Sequence, residues 1–159
     1  MTDWKAKFTK LREDIMKEIA EQATIYAQRH FAEVDYDGEY NVQVSSQTIH
    51  DFFPGKSEAQ IMAVGTNSNY PDVNTALFVE FGTGVRFAEP VHPEAEENGM
   101  YRGGFGQHQG MNESGWTFEG VDGETEHTFG NPANMCMYNA REDIRKEVNN
   151  IVERAWDSI

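Results

Sequence analysis

Apolar residues recur every three or four positions at Trp4, Phe8, Leu11, Ile15, Ile19, Ala23 and Tyr26, which places them on one stripe of a helix. Thr2 or Asp3 can cap its start, and the turn-forming run Asp35-Tyr36-Asp37-Gly38 ends it between His30 and Val34. Charged residues fill the other faces, as in an amphipathic helix packed on a core. A matching stripe, Met137, Ala140, Ile144, Val148, Ile151 and Ala155, predicts a C-terminal helix. Two starts compete for it. Asn131 followed by Pro132 is an Asn cap with proline at the first helical position, whereas Asn139 with Glu142 makes a capping-box variant; the earlier start is preferred. Val152, Trp156 and Ile159 widen the apolar surface, so this helix is expected to touch something on two sides, a neighbouring subunit included.

Between the helices the period changes. Tyr40, Val42 and Val44 alternate with polar residues, and Ile61-Met62-Ala63-Val64 follows the turn-like Phe53-Pro54-Gly55-Lys56, which predicts an antiparallel pair. Asn74 to Phe81 fits a short helix or a strand, ended by Gly82 and Gly84, which tolerate positive φ. Gly115–Glu119 and Glu126–Phe129 flank Gly120-Val121-Asp122-Gly123 as a second hairpin. Eight glycines in the 25 residues from Gly99 to Gly123 predict a loop ordered only by a partner. The expected class is α+β, with both helices on a small antiparallel, twisted sheet. One domain, 1–159, divides into 1–33 (helix), 34–93 (strands and the Glu80-Phe81-Gly82-Thr83 turn), 94–123 (Gly-rich acidic insert) and 124–159 (strand and helix).

Charge sharpens this division. The chain carries a formal −14. Residues 1–33 sum to zero and residues 141–159 to −1, so −13 falls on residues 34–140, where only Lys56, Arg86 and Arg102 oppose sixteen carboxylates. Duplex binding needs phosphates neutralised by Lys and Arg, and this body repels them. A membrane-surface helix needs a cationic polar face, which a neutral N-terminal segment lacks. No apolar run reaches the roughly 18 to 20 residues of a bilayer span, and the N-terminus lacks a secretory h-region. Cys136 is the sole cysteine, which excludes an intrachain disulfide and a cysteine-based zinc site.

Candidate chemistry is sparse. His92, His108 and His127 with Glu94, Glu96 and Glu97 contain metal-ligating atoms, but spacings of 16 and 19 match no compact ligand motif; solvated loop histidines are the simpler expectation, and His30 and His50 are weaker candidates still. Gly103-Gly104-Phe105-Gly106 lacks the preceding strand, following helix and lysine of a phosphate loop. Cys136, between two methionines, reads as a buried inert thiol. Carboxylate pairs such as Glu96-Glu97 carry no catalytic information in so acidic a segment. No catalytic, cofactor-binding or metal site is expected.

Two short segments carry a resemblance. Ala76-Leu77-Phe78-Val79-Glu80-Phe81-Gly82-Thr83-Gly84 resembles the A-x-x-V-E-F-G-T-G signature of phage tail-completion or neck (head-tail joining) proteins, minor tail components of long-tailed phages, and Thr128 to Ala140 is similar to that family's G-x-P-A-x-x-F-M-x-x-A run, with Cys136 where an aromatic is usual. The resemblance implies an α+β virion protein made in the host cytoplasm. It also implies a ring at the head-tail junction, a hexamer, between portal-side connector proteins and the tail tube or tail terminator. Genomic DNA would pass through without specific binding, without catalysis, cofactor or membrane. Phe78, Glu80, Phe81, Gly82, Thr83, Gly84, Gly130, Pro132 and Ala133 then become structural turn and core residues, with Phe78 and Phe81 anchoring the core and Glu80 at a surface or paired with Arg86. Trp116, Val152 and Trp156 become subunit or partner contacts. In a ring, carboxylates of the acidic body would line a non-adhesive channel. A metal-dependent hydrolase using the loop histidines and an acidic DNA mimic are the readings from other classes.

Overall fold

The computed structural model describes residues 4–35, 41–49, 56–68, 71–88, 90–101, 114–119 and 122–158. Their order is α1 (Trp4–Ala32), β1 (Asn41–Ile49), β2 (Glu58–Thr66), α2 (Ala76–Phe81), a 3₁₀ turn (Gly84–Ala88), β3 (Trp116–Glu119), β4 (Thr125–Thr128) and α3 (Cys136–Trp156). The class is α+β. The strands form two separate antiparallel pairs, β1–β2 and β3–β4, where a single sheet was expected. Thr2, Asp3, His50, His108, the Tyr36-Asp37-Gly38 turn, Gly103–Gly106 and most of the Gly-rich insert lie outside the described residues.

In the first pair Asn41 stands opposite Thr66 and Ile49 opposite Glu58. Side chains alternate across a strand, so Val42, Val44, Ile61 and Ala63 share one face. That face packs into a core with Ala27 and Phe31 of α1, Ala76 and Val79 of α2, and Cys136 and Ala140 of α3. Burying Val79 or Ile151 fully, as here, contributes about 1.5–3 kcal/mol each. The opposite face leaves Met62 and Val64 largely exposed.

α1 and α3 run antiparallel, as their cross-links show. Asp143 accepts from Arg29 (3.1 Å) and lies 3.0 Å from His30 Nε2, Glu18 accepts from Arg154 (2.6 Å), and the Phe8 and Trp156 rings are 6.0 Å apart. Ala23, Ile144 and Ile151 fill the seam, with Ile15 and Ile19 beside them. The expected α1 stripe is buried only from Leu11 onward. α3 ends at Trp156, opposite Phe8, so Trp4 and Phe8 reach beyond what α3 can cover. They remain exposed.

Asn74 ties α2 to β2. Its Oδ1 accepts the N–H groups of Gly65 (2.7 Å) and Ala76 (3.1 Å), and its Nδ2 donates to the Ala63 carbonyl (3.2 Å). A Cβ on Gly65 would stand 2.3 Å from the Ala76 nitrogen, so that glycine is required by the close approach. The ambiguous segment 74–81 is therefore a helix that starts against the end of a strand.

Candidate functional site

The residues of the two quoted motifs meet in one joint, at whose centre is Glu80. It is 6% exposed, against the expectation of a surface carboxylate or an Arg86 pair. One carboxylate oxygen, Oε2, accepts the Met137 N–H at 2.7 Å; the other, Oε1, accepts the Tyr138 N–H at 3.0 Å and lies 3.0 Å from His92 Nε2. The first N–H groups of a helix have no partner within it, and its N-terminus carries a partial positive charge. Glu80 is thus the cap of α3, delivered from α2 rather than from the residues just before the helix.

That delivery corrects both expected helix starts. α3 begins at Cys136, preceded by Met135 at φ 53°, with no side-chain cap of its own. Asn131 and Pro132 lie outside the helix and Asn139 inside it. A left-handed conformation costs a non-glycine residue about 1–2 kcal/mol, and the surroundings hold it: Met135 N–H donates to the Glu80 carbonyl (3.1 Å), while its own carbonyl accepts from Asn139 (2.7 Å). Asn134 N–H donates to the Val79 carbonyl at 3.0 Å. Backbone and side chain of Glu80 therefore fix the same helix end.

His92 is 2% exposed, so the expectation of a solvated loop histidine fails for it. Its Nδ1 accepts the Glu94 N–H at 3.0 Å, leaving Nε2 as the protonated nitrogen that donates to Glu80. The ring lies 4.3 Å from Phe81 and stands edge-on to Tyr138 at 5.5 Å. Phe81 itself packs with Ala95, Met100 and Leu77; Phe78 is half-buried, so of the two expected anchors Phe81 is the buried one. Glu94 pairs with Arg141 on α3, whose guanidinium stacks on Tyr138, and that carboxylate, by hydrogen bonding, holds the Arg141 pKa above its ordinary value.

Glycines let the two segments touch. A Cβ on Gly82 (φ 79°) would sit 2.7 Å from the Ala133 nitrogen, and one on Gly130 (φ 91°) 2.2 Å from the Thr83 carbonyl oxygen. Thr83 N–H donates to the Asn131 carbonyl (2.7 Å), Asn131 N–H to Thr83 Oγ1 (3.0 Å), and Val85 N–H to the Phe129 carbonyl (3.1 Å). Gly84 lies under the Trp116 ring, so Trp116, expected at a subunit contact, is half-buried on its own chain. Val152 and Trp156 are exposed on α3. Ala133 is buried and Pro132 half-buried at the joint.

Cys136 is buried, and that burial, with the nearby Glu80 charge, pushes its thiol up to about 12. Among the described residues no group of three His, Cys, Asp or Glu side chains is placed to hold a metal ion. His92 is occupied on both nitrogens, and His127 lies at the β3–β4 hairpin, 2.7 Å from the Ser114 carbonyl. No described helix is long and apolar enough to cross a membrane. Sequence reasoning missed Asn74 and the roles of Glu80 and His92, because the partners that join them to other elements lie 9 to 58 residues away along the chain. Compared with family models, curated proteins and solved structures, the chain matches none at a significant level.

Proposed function

We propose that this chain is a structural virion protein of the phage neck, assembling as a ring, a hexamer, around the DNA channel between portal-side connector proteins and the tail tube or terminator. The reading rests on the motif resemblance, and one observation supports it: residues of both motif segments build one internal joint. Glu80, the one motif carboxylate, has its oxygens committed to Met137, Tyr138 and His92. A motif that serves a joint suits a subunit whose work is assembly. The reading entails no catalysis, no cofactor and no membrane association, and places the acidic body of residues 34–140 where DNA slides past without adhering.

Imaging of particles from a producing culture, with the chain labelled, tests this directly. A ring of density at the head-tail joint that carries the label is the expected result. Particles that complete normally without the chain, or a label found only in the unassembled pool, overturn the proposal. A ring whose lumen is neutral or basic overturns the channel assignment alone. Tight association of the free chain with a DNA-binding protein, in place of particles, favours the acidic mimic.

A further inference from the structure

The start of α1 has a composition that its own helix does not favour. Lys5, Lys7 and Lys10 occupy the first turns with no acidic residue in the first turn, although a helix N-terminus is destabilised by positive charge. All three are exposed, and among the described residues none makes an ion pair. At about 100° per residue, Lys5 and Lys7 fall on opposite flanks of the Trp4–Phe8 stripe. That stripe continues onto α3: Trp4 is 62%, Phe8 49%, Trp156 55% and Val152 41% exposed, and the three aromatic rings are linked at 6.3 and 6.0 Å. Lys7 Nζ lies 5.3 Å from the centre of the Trp4 ring on the same surface, so one end of the helical pair is an aromatic surface edged with cations that no carboxylate among the described residues neutralises.

The β3–β4 hairpin is its complement. Glu119, Asp122, Glu124 and Glu126 are all exposed, and the hairpin from Ser114 to Thr128 contains no lysine or arginine. None of the four makes an ion pair among the described residues. At its base Phe129 is 42% exposed, with the His127 ring edge-on at 4.9 Å. In the other described acidic segment Glu94 is paired with Arg141, while Glu96 and Glu97 are exposed without an ion pair among the described residues. With four such carboxylates against two, the hairpin is the larger of these two acidic surfaces left unmatched.

We infer that the aromatic, lysine-edged end of α1 and α3 in one copy docks on the acidic β3–β4 hairpin of a second copy. The occupant is another copy because this chain itself presents both halves: an aromatic surface whose lysines face no carboxylate, and an acidic surface with one exposed aromatic ring, Phe129, at its base. The two patches are different surfaces, so the contact is heterologous. It propagates from copy to copy and ends only by closing into a ring. The inference deepens the ring reading and depends on it for closure, while the pairwise contact stands by itself.

Sedimentation of the purified chain and its charge-reversed variants tests the contact. The wild-type chain is expected to associate with rising concentration, and Lys5→Glu with Lys7→Glu, or Glu124→Lys with Glu126→Lys, to weaken association at least about tenfold, the scale of a few lost charge pairs. The N-terminal pair should leave the melting temperature unchanged or raise it, since glutamates suit a helix start; a role in folding alone would lower it. Mixing the two double variants should restore association, because each then offers the charge that the other now needs. A wild-type chain monomeric at every concentration overturns the contact, and does so whether or not it sediments with phosphatidylserine vesicles. An oligomer indifferent to both variant pairs, or a mixture that stays dissociated, also overturns it. In none of these cases does the neck reading fall, because imaging of particles decides that separately.

Discussion

Replacing Glu80 is the most direct test of how the joint is built. Glu80→Ala leaves two partly buried N–H groups at the start of α3 and the buried His92 ring without their acceptor. Losing a helix cap costs about 0.5–2 kcal/mol, and stranding a buried donor about 1–3 kcal/mol. The terms overlap, since the cap bonds are the stranded ones, so the expected total is about 3–5 kcal/mol, comparable with breaking a buried charged contact. Glu80→Gln keeps the size but turns one acceptor oxygen into an NH₂ donor. Whichever way the amide turns, it faces a donor: Met137 N–H on one side, Tyr138 N–H and His92 on the other. A cost of about 2–3 kcal/mol follows, charged hydrogen bonds being worth about 1.5–3 kcal/mol. For a domain of this size each kcal/mol lowers the melting temperature by about 2–4 °C. The alanine variant should thus melt about 6–20 °C lower and the glutamine variant about 4–12 °C lower. Thermal melts followed by circular dichroism, with urea titrations at constant slope, measure both. If Glu80→Gln is within about 0.5 kcal/mol of wild type, the range of ordinary surface substitutions, Glu80 is not the cap described here.

Gly130→Ala forces a Cβ to 2.2 Å from the Thr83 carbonyl oxygen at φ 91°, whereas Gly99→Ala, at φ 73°, meets nothing within 4 Å. The first should cost about 3 kcal/mol or more and the second only the left-handed penalty of about 1–2 kcal/mol, and urea titration of the pair separates steric contact from backbone strain; equal costs would refute the close approach. Cys136, buried and with its thiol raised to about 12, should resist thiol reagents in the native state and react at once in denaturant, so rapid native labelling would contradict its burial. Asp143 is held below its ordinary 3.8, chiefly by hydrogen bonds from Lys146 and His30. Its contribution is present in full above that ordinary value and lost as pH falls through the lower folded value. The stability gap between wild type and Asp143→Asn should accordingly close on acidification below 3.8, and a gap that persists in strong acid would remove the carboxylate from the account.

Periodicity made much of the fold legible. The three- and four-residue spacing marked α1 and α3, and alternation marked β1, because each such pattern lies within one element and reports which face meets the core. The β3–β4 hairpin showed through its bounding glycines. What stayed hidden depends on partners distant in sequence. Local signals point to Asn131 or Asn139 as the start of α3, but the cap comes from Glu80, 57 residues before Met137. Glu80 looked like a solvated carboxylate because nothing next to it in sequence predicts two helix N–H groups and an imidazole. His92 looked like a loop histidine for the same reason. The exposed ends of the α1 stripe escaped notice because a stripe says which side is apolar and not how far a partner helix extends.

The motif residues that meet in the joint each have a physical duty there. Val79 is fully buried and its carbonyl receives Asn134; Glu80 caps α3; Phe81 lies against His92; Gly82 and Gly130 allow backbones to touch; Thr83 bonds Asn131 through its hydroxyl. A sequence that keeps these residues keeps the way α2 is welded to α3, whatever that framework later meets. Exposed surfaces among the described residues include the aromatic end of the helical pair, the acidic hairpin with Phe129 at its base, and the Met62 and Val64 face of β2. Net charge bears on the choice among them. Copies at −14 repel one another at long range, but at physiological salt that repulsion is screened beyond about 8 Å, whereas lysine and carboxylate in contact still attract. The proposed contact, which joins lysines of α1 that no described carboxylate neutralises to carboxylates of the hairpin, would therefore be an arrangement by which so acidic a chain could associate with itself.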